Sequence, residues 1–151
     1  MRPIIAVVGG STVPAEVYRT AREVGQEIAL AEAIVVTGGL GGVMEAAAKG
    51  AKEKGGTVVG ILPGFSKSEA NPYVDIPIVT GLGDGRNALI VQTAQALIAL
   101  PGEYGTLSEI ALALKIGKPV VSLGGWEISA DIIKAKSPKE AVATALKAIG
   151  K

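Results

Sequence analysis

The chain has 151 residues, a net charge of +1, no cysteine and no histidine, and only five aromatic side chains although 48% of its residues are hydrophobic. These absences exclude disulfides, thiol nucleophiles, histidine relays and the commonest transition-metal ligands, so no metal site is expected and acid–base work falls to Asp, Glu, Lys, Arg or Tyr. No Lys/Arg cluster offers a broad footprint for nucleic acid, and no signal peptide or membrane-spanning run is present, which reads as a cytoplasmic protein.

The length suits one domain over residues 1–151, able to bury about 70% of its unfolded surface in a core of Val, Ile, Leu and Ala. Ile4 to Val8 is a continuous apolar run ended by Gly9-Gly10-Ser11, the pattern of a buried parallel strand. Pro14 then opens a helix carrying Val17, Ala21, Val24, Ile28 and Ala31 at helical spacing. Ala33 to Thr37 is the second strand, broken by Gly38-Gly39-Leu40-Gly41-Gly42. A helix follows from Val43 to about Lys54, with Gly55-Gly56 stopping it. Thr57 to Leu62 reads as a strand, Pro63 to Asp75 as a loop, and Ile76 to Thr80 as a short strand. Gly81 to Gly85 leads into a helix from about Arg86 to Gln95, followed by a strand over Ala96 to Leu100. A helix ending near Ile116, a strand over Pro119 to Leu123, and a last helix opened by the capping box Ser137-Pro138-Lys139-Glu140 complete the chain. Strand and helix alternate throughout. The expected fold is α/β, a Rossmann-like doubly wound, mostly parallel sheet with helices on both faces and ligands bound at its switch point.

Three glycine-rich turns are expected at that carboxyl edge. The most informative is Pro101-Gly102-Glu103-Tyr104-Gly105-Thr106-Leu107-Ser108-Glu109, where a strand passes through glycines into a helix. Such a turn aims backbone N–H groups and a positive dipole end at one point, suiting phosphate. Gly102 and Gly105 allow close approach, Thr106 adds a hydroxyl, and Glu109 sets a carboxylate in the first helical turn. Thr106 to Glu109 is equally a capping box, and spacing alone favours that reading. Gly38 to Gly42 is neither the dinucleotide fingerprint nor a Walker loop, and it serves either a ligand or close helix–strand packing. Arg86 begins a helix, where its charge opposes the dipole; it serves an anion or pairs with Asp84. Glu45 is favoured by the dipole of its own helix. Tyr73 and Trp126 stand in loops as stacking surfaces or anchors.

Taken in order, Gly9-Gly10-Ser11, Gly38-Gly39-Leu40-Gly41-Gly42-Val43-Met44, Arg86 and the nine-residue motif resemble the LONELY GUY (LOG) superfamily, once labelled lysine decarboxylases, which also includes molybdenum-cofactor carriers. The resemblance covers the chain from the first strand to about Val121. It implies that the Pro-Gly-Gly-x-Gly-Thr-x-x-Glu pattern binds the phosphate of a nucleoside monophosphate. It also implies that Glu109, with Arg86, serves hydrolysis of the bond between base and ribose 5′-phosphate. Glu103 replaces the second glycine of the enzymes' motif, Glu45 another glycine, and Asn87 the lysine after the arginine. With Asn71-Pro72-Tyr73 these make the chain more similar to the carrier branch than to the hydrolases.

The leading expectation is therefore a binding or carrier protein for a phosphorylated nucleotide- or pterin-like ligand, with a molybdopterin-type cofactor or a nucleoside monophosphate as the cargo. The alternative is a LOG-type nucleoside 5′-monophosphate phosphoribohydrolase, with Arg86 and Glu109 as catalytic residues. Ligand contacts are expected from Gly10, Ser11, Gly38, Gly39, Gly41, Gly42, Gly102, Glu103, Gly105 and Thr106. Arg86 is expected to pair with Glu109, while Glu103 turns from the phosphate toward the ligand's ring. Decarboxylation is disfavoured, because no lysine lies in a glycine-rich cradle, and a DNA-associated role is disfavoured by the neutral charge. A homodimer or larger homo-oligomer is expected from the apolar segment Ala88 to Leu100.

Overall fold

The computed structural model describes residues 1–151. Its strands are β1 (Ile4–Val8), β2 (Ile34–Thr37), β3 (Val58–Leu62), β4 (Ile76–Val79), β5 (Ala96–Ala99), β6 (Val120–Ser122) and β7 (Ile133–Lys134). The helices are α1 (Ala15–Leu30), α2 (Val43–Glu53), α3 (Arg86–Thr93), α4 (Tyr104–Lys115) and α5 (Pro138–Ala148), with short 3₁₀ turns at Lys67–Glu69 and Gly83–Gly85. All seven strands run parallel in the order β4-β3-β2-β1-β5-β6-β7. The chain winds outward from β1 to β4, then crosses back to lay β5 against the other side of β1, with Ile5 opposite Ala96 and Val8 opposite Ala99. The switch point thus falls between β1 and β5, where their following turns diverge.

Alternation explains why the strands read as unbroken apolar runs. Ile5 and Val7 of β1 face one core with Val35, Ala96 and Ile98, against α1, α2 and α5. Ala6 and Val8 face the opposite core with Val36, Leu97, Ala99 and Val120, against α3 and α4. Every side chain of β5 is fully buried, as a central strand covered on both faces requires. Each such Val, Ile or Leu contributes roughly 1.5–3 kcal/mol through burial. Pro77 is tolerated in β4 because that strand lies at the edge of the sheet.

Three expectations need correction. Strand β7 was not legible, because its two residues are exposed and form no apolar run. The Ser137 box holds only in part: Ser137 Oγ accepts from Glu140 N at 3.1 Å, but the Glu140 carboxylate accepts from Lys136 N at 3.3 Å rather than from Ser137. Thr106 caps nothing. Helix α4 starts at Tyr104 with Glu103 at its N-cap, so Thr106 already lies inside the first turn and Glu109 makes no capping bond back to it.

Candidate functional site

The turns after β1, β2 and β5 meet at the carboxyl edge of the sheet. Gly10 N donates to Pro101 O at 2.9 Å, and Val43 N donates to Gly10 O at 2.9 Å, so the first turn is clamped between the other two. Glycine is required at two of these positions. A Cβ on Gly102 would collide with the Thr106 hydroxyl and come within 2.8 Å of Gly10 N. Gly42 has φ +63°, and a side chain there would strike the backbone of Gly10 and Ser11. The second turn starts with the Thr37 hydroxyl accepting from Gly39 N at 3.0 Å. It is braced by Asn71, whose N donates to Gly39 O and whose Nδ2 donates to Leu40 O, each at 2.9 Å.

Between the turns opens a cleft of about 670 Å³, a size that suits a small organic ligand. Gly10, Ser11, Gly38, Gly102, Glu103, Gly105, Thr106, Arg86 and Glu109 line it. Gly39, Gly41 and Gly42 do not line the cleft; they shape the turn behind it. Sequence reasoning did not assign Thr12, Val13, Leu40 and Tyr104 to this wall, and their positions within or beside the three glycine-rich turns were the signal that could have found them. No lysine is among the lining residues.

The cleft's backbone is rich in free donors. From Gly102 through Thr106, five consecutive N–H groups donate to no acceptor in the chain, and those of Ser11 to Val13 behave alike. Neither α1, whose N-cap is Pro14, nor α4 has a side-chain cap, whereas α5, away from the cleft, is capped by Ser137. Unsatisfied first-turn N–H groups are the source of a helix's positive end. Two such ends flank the switch point. The arrangement has the donors and dipole ends that an anion site built of main chain requires.

Arg86 is buried at 8% exposure, and its guanidinium is spent on structure. Its Nε donates to Ile61 O at 2.9 Å and Nη2 to Gly38 O at 3.3 Å, while Nη1 bonds Asn87 Oδ1. Asn87 Nδ2 donates to Ser108 Oγ at 3.3 Å, and that hydroxyl donates to Gly105 O at 2.7 Å. Arg86 therefore ties β3, the β2 turn and the first turn of α4 together. It forms no ion pair with Asp84 or with Glu109, contrary to the pairing with Glu109 expected from sequence, and bonds instead to the Ile61 and Gly38 carbonyls and Asn87 Oδ1. Burial lowers its pKa, while the Glu109 and Asp84 charges oppose that shift.

Glu109 is 7% exposed, lines the cleft and accepts no hydrogen bond. Desolvation pushes its carboxyl up to about 7, with Arg86 acting in the opposite sense. An acid poised near neutrality can donate or accept a proton at that point. Glu45 serves the fold instead, accepting from the Tyr18 hydroxyl at 2.9 Å between α2 and α1, outside the cleft. Tyr73 packs against the core of the α1/α2 face, with Lys49 Nζ 6.0 Å from its ring centroid, and acts as an anchor.

Residues 2–149 match the sequence model of the SLOG cluster4 family. The chain belongs to the SLOG cluster4 family. Among solved structures, this SLOG cluster4 protein is similar to the molybdenum cofactor binding protein of the phototrophic bacterium Rippkaea orientalis, at 37% identity and TM-score 0.93, covering 99% of this chain and 98% of that one. It is also similar to the molybdenum cofactor carrier protein of Chlamydomonas reinhardtii, at 37% identity and TM-score 0.88 over the whole of both chains. A rice (Oryza sativa subsp. japonica) protein named "Probable cytokinin riboside 5′-monophosphate phosphoribohydrolase" is 31% identical over 113 residues, 72% of this chain and 50% of its own length. Both branches suggested by the glycine motifs are thus represented among the relatives of this family member.

Proposed function

We propose that this SLOG cluster4 protein is a binding or carrier protein for a phosphorylated heterocyclic cargo, of molybdopterin type, held at the switch point between β1 and β5. The five free N–H groups from Gly102 to Thr106 carry this reading: with the Thr106 hydroxyl they offer a phosphate a continuous row of donors on the wall of the cleft. The cleft volume fits a ligand of this size, and likeness to cofactor-binding and carrier proteins supports the cargo class. Gly10 and Ser11 would complete the cradle from the opposite turn. The protein would work in the cytoplasm as a homodimer or larger homo-oligomer, presenting its cleft to the donor and acceptor of the cargo.

A second reading is favoured by one observation: Glu109 and Arg86 share the cleft with the phosphate cradle. As a nucleoside 5′-monophosphate phosphoribohydrolase, the protein would use Glu109 to orient water and to stabilise positive charge developing on the ribose. Against it stands the commitment of the Arg86 donors to backbone carbonyls. Mass spectrometry of the small molecule that co-purifies with the protein, followed by incubation with a nucleoside monophosphate panel, separates the two. A bound pterin-type phosphate with an unchanged panel supports the carrier. Free base plus ribose 5-phosphate selects the enzyme.

A further inference from the structure

Tyr104 is the first residue of α4 and lines the cleft, yet it is 81% exposed, an unusual position for a large aromatic ring. Trp126 reaches it from a different part of the chain, the loop after β6. The two rings stack with centroids 6.5 Å apart and planes inclined by 26°. Trp126 Nε1 donates at 3.2 Å to the carbonyl of Glu103, the same oxygen that accepts the first helical bond of α4 from Leu107 N at 3.0 Å. The loop that bears Trp126 is itself pinned, Leu123 N donating to Ala99 O at 2.8 Å and Gly125 N to Ser122 Oγ at 3.1 Å. Two aromatic rings are therefore fixed at the helix end whose free N–H groups include that of Tyr104. A buried, unpartnered carboxyl, Glu109, lines the same cleft and independently marks it as a ligand site.

We propose that Tyr104 and Trp126 form a stacking platform, which selects ligands carrying a flat heteroaromatic ring beside their phosphate. The proposal rests on the phosphorylated-heterocycle reading above and deepens it. The main-chain cradle supplies the anion contact and recognises nothing beyond the phosphate. The platform recognises the ring, and stacking on a fixed aromatic pair tolerates purine and pterin alike because each presents a π-face.

Trp126 is the only tryptophan in the chain, so its fluorescence reports on the platform directly. The test titrates the protein with guanosine 5′-monophosphate, ribose 5-phosphate and inorganic phosphate, following fluorescence and, in parallel, binding heat. The platform predicts that the guanosine compound alone quenches Trp126 and binds about tenfold more tightly than ribose 5-phosphate. Tyr104→Ala and Trp126→Ala, read by calorimetry, should bring the two affinities together, while Tyr104→Phe and Trp126→Phe preserve the preference. Equal affinities in the unmutated protein overturn the platform and leave the phosphate site standing. A preference that survives both alanine changes overturns it as well. Failure of all three phosphates to bind removes the phosphate site and the platform with it.

Discussion

Glu109 couples the site to pH. Its folded pKa, about 7, stands above the ordinary carboxylate value of 4.5, so the folded protein holds a proton that the unfolded chain releases. The contribution of Glu109 to stability is most favourable below the unfolded value, falls as pH rises from about 4.5 to 7, and above that is a cost of about 3 kcal/mol. Glu109→Gln should flatten this part of the stability profile and raise stability at pH 8 by about 1–3 kcal/mol, measured by urea unfolding across the pH range. A phosphate seated nearby opposes ionisation of Glu109, so phosphate affinity should also drop as pH rises through 7, and the variant should lose that dependence. Arg86→Ala should destabilise the fold by about 3 kcal/mol, since it strands the carbonyls of Ile61 and Gly38, and should weaken ligand binding by removing the brace on the first turn of α4. Glu103 is exposed on the cleft wall at the N-cap of α4, where a carboxylate opposes an incoming anion. Glu103→Gly should accordingly improve calorimetric affinity for simple nucleoside monophosphates; unchanged or lowered affinity would make Glu103 an ordinary loop residue.

The elements were legible to the extent that burial forces a pattern. Strands β1, β2, β3 and β5 are covered on both faces, so their apolar runs could be read directly, and glycine turns marked where most of them end. The meeting of the three turns was legible for the same reason, because their close approach demands small residues at Gly10, Gly42 and Gly102. The fate of Arg86 and the start of α4 were not. A side chain's choice between a carboxylate and a backbone carbonyl depends on which strand lies beneath it, and Ile61 is 25 residues away in sequence. Thr106 fitted a capping pattern equally well inside or outside the helix, and the chain's entry from β5 decided it. Glycine in helix α2 carries a further prediction. A Cβ on Gly50 would run into the carbonyl of Arg22 on α1, so Gly50→Val should cost about 2 kcal/mol or more through forced separation of the two helices. Chemical denaturation with an unchanged m-value checks this, and a neutral result would mean that α1 shifts freely.

At the scale of the whole molecule, the proposed homo-oligomer needs an exposed apolar face. Segment 88–100 looked too apolar for one helix, but its second half is β5, fully buried at the centre of the sheet. One group of exposed apolar residues lies around edge strand β4, with Phe65 88%, Leu82 56%, Ile76 50% and Ile78 43% exposed, while others such as Leu30, Ile116, Ile128 and Ile133 are spread over the rest of the surface. A homodimer using the β4 face should sediment above the 15.2 kDa of one chain at micromolar concentration, and Phe65→Asp with Ile78→Lys should return it to that mass. No helix is long and apolar enough to cross a membrane. The proposal that two uncapped helix ends over a switch point receive a phosphorylated molecule is tested most directly by backbone amide NMR. Adding guanosine 5′-monophosphate should move the amide signals of Ser11 to Val13 and Gly102 to Thr106, with inorganic phosphate moving the same set to a smaller extent. Signals that stay fixed there, or that shift only at a distant surface, would contradict it.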